Sequence, residues 1–381
     1  MKTSLRQYQN EIRFFLNFSL FLCIAIFNTQ LLPFLKSIGY DTMQRGIILA
    51  INAFFSILFQ MLFGFLCDQF QNMKRFFYLA YALFLGFGIL MFWWSKQMFF
   101  FHLVTTSMMA SMVKVLSALL ETWMLYLDEK KYGKYRSMGA LGLCFGSPLA
   151  GIIIASFSYY GLVIAAMVIS CITLLCAFLS DEVSYQEKID VKMMISLFHN
   201  KEYLYFVFIY FTIYMVGTAD QYAVIDKMMN LNAGSILIGI KWAIQSLLEI
   251  PFFLYADQLL RKYSPYLLLG IGIAMYGIKF VFYGISPSPF WIIITTILQI
   301  VTLPVVAYTS KVIFALITPK LKASSQMLAM AFFIGGSAFV TPLITSFMAQ
   351  YFDYDTILYG WATFSLFPLI LLLLKKNRIK Q

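Results

Sequence analysis

The sequence predicts an all-α polytopic membrane protein, with twelve transmembrane helices in two pseudo-symmetric six-helix bundles. Three observations lead there. Hydrophobic residues make up 61% of the 381 and charged residues 12%, with a mean hydropathy of +0.80; a soluble fold of this length has too little interior to hide so much apolar surface. The apolar residues fall in runs of about twenty or more, the length that crosses a hydrocarbon layer of about 30 Å. The two halves also echo each other: FGFLCDQFQNMKR carries Asp68 and Gln69, and FFLYADQLLRK carries Asp257 and Gln258. That offset of 189 residues (257 minus 68) also sets Gln60 opposite Glu249.

The first span, 12–35, follows Lys2, Arg6 and Arg13 and superficially resembles a signal peptide. It is too long for a signal h-region, lacks a small-residue cleavage site and precedes further spans, so it is expected to remain. Asn17, Asn28 and Gln30 suit either a cavity-facing helix or ordinary bonds between helices. Five more spans read at 44–66, 76–94, 98–127, 137–157 and 161–179. Residues 180–201 form the one long polar segment. A second series follows at 202–224, 236–260, 266–285, 290–317, 325–348 and 356–374. The expected organisation is therefore an N-terminal bundle over 1–180, a cytoplasmic linker over 181–201 and a C-terminal bundle over 202–381.

Net charge is +11, yet the cations are dispersed among short loops and termini, which argues for topology rather than nucleic acid. With a cytoplasmic N-terminus, inside segments hold twenty Lys and Arg; outside segments hold four, Lys36, Arg45, Lys96 and Lys227. The positive-inside rule then puts both termini in the cytoplasm, with the chain in the plasma (inner) membrane. Cys23, Cys67, Cys144, Cys171 and Cys176 lie in or beside apolar runs without metal-ligand spacing and read as small hydrophobes. His102 and His199 are far apart and read as interfacial. The chain holds no GxxxxGK[ST] loop. No cofactor or metal is expected, and transport, if that is the activity, must use an ion gradient or run downhill.

Charges inside spans are the informative residues, because each costs on the order of 2.5 to 3.5 kcal/mol at the bilayer centre unless it meets protein, water or a counter-charge. In GIKWAIQSLLEIPFFLYADQLLRK, residues 239–262, Lys241, Gln245 and Glu249 recur at steps of four along one helical face. In the fourth span Ser107, Ser111, Lys114, Ser117 or Ala118, and Glu121 form another stripe. A salt bridge that only joins helices explains such a stripe as well as a substrate site does. Arg136 opens the fifth span ahead of Gly139, Gly142, Gly146 and Gly151, whose spacing suits close helix contact. It is either an anchor at the membrane surface or a donor fork in a cavity. Trp123 suits packing better than stacking on a sugar ring.

The segment 132–142, the acidic residue upstream of it and the Glu249-Ile250-Pro251 step together resemble the major facilitator superfamily. They are similar in particular to its branch of lactose permease, phenylpropionate permease-like proteins and nucleoside symporters. The resemblance covers the whole chain in span count and linker position, although its sharp motifs are short. It implies that Glu121 and Arg136 bind substrate hydroxyls. Lys279 stands where the family has an arginine, twenty residues before Gln299, and the family's histidine and proton-carrying glutamate are replaced by Gln299 and Thr302. Another carboxylate must then carry a proton: Glu249 first, Asp220 second. Burial raises a carboxyl pKa and a nearby cation lowers it, so a group held between the two can change state. Gly64 and Asp68, followed by Lys74 and Arg75, resemble a degenerate form of the family's cytoplasmic loop motif. With Asp257 they are the expected cytoplasmic gate.

The expected function is secondary active transport by alternating access, with Glu121, Arg136, Lys114, Gln245, Lys241 and Lys279 binding substrate in a central cavity and Glu249 and Asp220 coupling protons. The resemblance implies symport of a small polar solute such as a sugar, oligosaccharide or nucleoside. Expected partners are that solute, protons and the lipid bilayer, for a monomer that binds no nucleic acid. The alternatives are efflux of an amphipathic compound or a non-transporting sensor of the same fold. A membrane enzyme would need a catalytic cluster of His, Cys or paired carboxylates that the sequence does not display.

Overall fold

The computed structural model describes residues 8–128, 131–182, 197–318 and 322–379, apart from certain side chains within helices. Among the described residues the regular structure is entirely helical. Among the described residues, eleven helices are long and apolar enough to cross a membrane. One of them runs for 48 residues, Tyr132–Leu179, and breaks at Ser158, whose φ of 59° and ψ of −170° are not helical. At 1.5 Å per residue an unbroken helix of that length would exceed twice the hydrocarbon thickness, so the break divides it into two spans. The break falls between the fifth and sixth spans read from the sequence. Exposed apolar side chains such as Phe100 (79%), Phe178 (72%) and Phe157 (71%) coat the helices, as expected of surface that meets acyl chains rather than water. The chain is an integral membrane protein.

The chain divides into two compact units, Met1–Lys188 with Ala233–Leu247, and Ile189–Asn232 with Leu248–Gln381. Residues 233–247, which a boundary at 202 assigns to the second bundle, thus pack within the first unit. Most of the polar segment expected as the linker lies outside the described residues.

The first unit comprises α1 (Gln9–Asn28), α2 (Leu31–Ser37), α3 (Thr42–Phe70), α4 (Met73–Trp93), α5 (Phe99–Leu127), α6 (Tyr132–Leu179) and the first half of α8 (Ser235–Lys262). Caps set the ends of these helices. Asp41 and Gln44 form a reciprocal capping box at the start of α3, and Asn72 accepts from the Arg75 amide at the start of α4. Helix α1 lies along α6, and glycine makes that approach possible: a Cβ at Gly142 would run into the backbone at Phe18 and Leu22. Farther along the first half of α6, before the break, Gly239 of α8 lies against Ser147 and Pro148 in the same way. Buried Arg13 pairs with Asp181 at 3.2 Å, and the Trp123 indole donates to the Asp181 carbonyl, tying the start of α1 and the end of α5 to the end of α6. Trp123 is therefore a packing residue, 1% exposed and edge-on to Phe77.

The second unit comprises α7 (Lys201–Asn230), the rest of α8, α9 (Pro265–Ile285), α10 (Pro289–Thr295), α11 (Leu303–Ile317), α12 (Lys322–Met330), α13 (Gly336–Met348), α14 (Tyr354–Phe364) and α15 (Leu366–Ile379). Two spans are irregular. A 3₁₀ segment, Thr296–Val301, interrupts α10 and α11, and a π segment, Ala331–Gly335, joins α12 to α13. Such departures from α geometry recur at functional sites because they re-aim side chains. At one end of this unit Lys227 donates to the carbonyls of Tyr283 and Gly284 and pairs with Asp355, while Tyr354 donates to Asp226. This cluster closes the last turn of α9 with a cation, where the helix dipole favours one.

Candidate functional site

Each unit carries its own group of charged residues inside spans. In the first unit the expected stripe on α5 divides in two. Ser107 donates to Asn52, and Ser111 and Ser117 donate to carbonyls four residues back, so their hydroxyls are absorbed into packing. Lys114 and Ala118 are exposed, and Glu121 is half-buried. Lys114 lies near the centre of α5, about 20 Å from either end. An ammonium at that depth is costly against acyl chains.

Glu121 and Arg136 meet at 2.9 Å with side chains 37% and 50% exposed. The guanidinium also lies 5.4 Å from the centre of the Phe21 ring. The first turn of α6 delivers Arg136 beside the last two turns of α5, a juxtaposition that the short loop between them permits. The pair is partly solvated. Gln60 of α3 donates to the Lys114 carbonyl at 3.3 Å, which brings a third helix to this face. Lys241 and Gln245, on the part of α8 that belongs to this unit, are both buried and bonded to each other at 2.8 Å. The Lys241 ammonium also lies 4.6 Å from the Trp242 ring centre.

The second unit holds a buried polar chain. Lys279 of α9 pairs with Asp220 of α7 at 2.5 Å and also donates to the Gln299 side-chain oxygen. Thr302 donates to that same oxygen at 3.2 Å. An ammonium and a hydroxyl that both donate to one amide oxygen leave the amide one orientation. Its NH2 is therefore aimed the other way, where it donates to Glu249 Oε1 at 3.3 Å. Lys279, Asp220 and Gln299 are buried, whereas Glu249 is half-buried. The Tyr276 and Tyr283 rings stand 5.9 Å and 5.2 Å from the Lys279 ammonium and screen it from lipid. The 3₁₀ segment makes this possible by turning Gln299 toward α9 while Pro304 begins the next helix.

Lys279, which the sequence reading groups with the substrate-binding residues, thus lies in one network with Asp220 and Glu249. Gln299 and the two tyrosines complete that network. Gln299 was visible in the sequence as a polar residue in an apolar span, while nothing in the pattern distinguished Tyr276 and Tyr283 from belt aromatics. Lys74 donates to the carbonyls of Phe178 and Ser180 and so closes the end of α6. Arg75 lies beside it in the first turn of α4 and is exposed. The side chains of Asp68 and Asp257 lie outside the described residues. His102, in the first turn of α5, is buried, bonded to the Tyr40 hydroxyl at 2.9 Å and to the Trp94 carbonyl at 2.9 Å.

Comparison with known proteins fits this architecture. The nucleoside transporter NupG, in a D323A mutant crystal structure, superposes with a TM-score of 0.83 at 14% identity, covering 95% of this chain and 98% of that one. A second NupG structure gives 0.78 at 15% identity, covering 95% and 97%. A POT family transporter in complex with 5-aminolevulinic acid gives 0.77 at 11% identity, covering 97% and 96%. At such identities the likeness shows the fold alone. No curated protein sequence matches the chain. The family assignment comes from the sequence itself, which matches over residues 11–358: the chain belongs to the MFS_1 like family.

Proposed function

We propose that this protein is a secondary active transporter working by alternating access, a proton-coupled symporter of a small polar solute such as a nucleoside, a sugar or an oligosaccharide. Its termini lie in the cytoplasm, as the distribution of basic residues favours. The fold it shares with a nucleoside transporter and with POT family transporters supports transport as the activity. In the first unit, the half-exposed Glu121 and Arg136 pair supplies both an acceptor and a fork of donors, the combination that hydroxyl-rich solutes bind.

The observation that carries proton coupling is the polar chain from Asp220 through Lys279 and Gln299 to Glu249. Asp220 is fully buried against an ammonium, so protonating it would strand Lys279 as an uncompensated charge. Glu249 stands at the other end, half-buried, and accepts from the Gln299 amide. Of the two carboxylates it is the less buried, which favours it as the one that exchanges a proton. When ionised it accepts a charge-assisted bond from Gln299; when protonated that bond weakens. Because Gln299 also holds Lys279, the change is passed to the buried pair.

The test is transport by purified protein in proteoliposomes. Glu249→Gln should abolish uphill uptake driven by a proton gradient while preserving solute counterflow. Retained uphill uptake would reject Glu249 as the proton carrier, and ligand binding without counterflow in the unaltered protein would reject transport.

A further inference from the structure

We infer that the solute of this transporter is anionic, carrying a carboxylate or phosphate that pairs with Lys114; the inference rests on the transport reading above. Other described cations within the spans have partners. Lys279 has Asp220 and Gln299, Lys227 has Asp355 and two carbonyls, and Lys241 has the Gln245 side-chain oxygen. Lys114 differs. Among the described residues its ammonium makes no hydrogen bond and no ion pair, although it is exposed near the centre of a membrane-crossing helix.

The neighbouring charges do not cancel it. Glu121 lies two turns along the same face, about 10 Å away, and its carboxylate already pairs with Arg136 at 2.9 Å. Among the described residues, the Lys114 ammonium is therefore the charge on this face without an ion-pair partner. A neutral solute that displaced water here would leave the surplus charge in a low-dielectric surrounding with nothing opposite it. An anionic group would compensate it, while the rest of the solute meets the Gln60 side chain. The charge count carries a kinetic consequence: a monoanion moving with one proton transfers no net charge, whereas a neutral solute moving with one proton transfers one.

The experiment uses proteoliposomes of the full chain and two matched pairs of labelled probes, glucuronate against glucose and uridine monophosphate against uridine. The acidic member of one pair should enter at least tenfold faster than its neutral counterpart, and which pair responds separates a sugar acid from a nucleotide. Lys114→Gln should remove that preference and Lys114→Arg should retain it, both variants keeping the melting temperature of the unaltered protein. If glucuronate is the responder, an imposed potential at fixed pH gradient should change its initial rate less than twofold. Faster entry of the neutral member, or an acidic preference that survives Lys114→Gln, would overturn the inference and leave the transport reading standing. Absence of uptake for both acidic probes would also overturn it, and gradient-driven uptake of any neutral solute would then still support the transport reading.

Discussion

Lys279 Nζ lies 2.5 Å from Asp220 Oδ2, and both side chains are buried, at 0% and 2% exposure. The pair joins α7 to α9 without access to water, so its energetics are those of an interior ion pair. Removing one partner leaves a charge with nothing opposite it, at a cost of about 3 to 5 kcal/mol, whereas replacing both together is near neutral. Asp220→Asn and Lys279→Gln should each lower the unfolding midpoint in detergent sharply, and the double variant should recover most of the loss. A double variant whose loss equals the sum of the two single losses would mean that the pair is not coupled.

Ser158 occupies a backbone region that is essentially reserved for glycine, with φ at 59° and ψ at −170°. The strain of a side chain there is about 1 to 3 kcal/mol. Ser158→Gly should therefore raise stability by about 1 kcal/mol after the added flexibility of the unfolded chain is counted. A thermal melt of the purified variant reads this as an upward shift; a downward shift would mean that the serine hydroxyl is needed at the break.

Glycine in a helix usually costs about 0.5 to 1 kcal/mol relative to alanine. Gly86 follows that rule, since a Cβ there would meet nothing within 4 Å, and Gly86→Ala should be neutral or stabilising. Gly239 should reverse it. Its Cβ would collide with the carbonyl of Ser147 and approach Pro148 Cα at 2.9 Å, so Gly239→Ala should destabilise by about 1 to 3 kcal/mol through overpacking. Measuring both variants under one unfolding protocol isolates the contact from helix propensity.

Asp353 caps α14, accepting from the Thr356 amide, and the hydroxyl and amide of Thr356 hold its carboxyl below the usual aspartate range. A carboxyl whose folded pKa is depressed contributes stability above its unfolded value, near 3.9, and loses it as pH falls through the lower folded value. Protection of the Ile357 amide against hydrogen exchange should therefore be full at neutral pH and decline only below about pH 4. Asp353→Ala should lower the protection at neutral pH and remove that acid dependence. An unchanged acid profile in the variant would exclude the cap as its source.

Composition and run length alone specify spans crossing a bilayer, because the hydrocarbon imposes the same length and polarity on every helix that crosses it. Sequence also exposed the residues whose cost demands an explanation, Lys114, Asp220, Lys241, Glu249 and Lys279, since a charge in an apolar run needs no neighbours to be conspicuous. Their partners were another matter. Asp220 and Lys279 are 59 residues apart and Gln299 and Glu249 are 50 apart, and a helical period records which face a residue occupies but not which helix that face meets. Only the tertiary structure paired Lys279 with Asp220, turned the Gln299 amide toward Glu249 through a 3₁₀ segment, and left Lys114 exposed without an ion-pair partner. The reason is physical: crossing a membrane is a property of each segment by itself, whereas compensating a buried charge depends on which segments pack together.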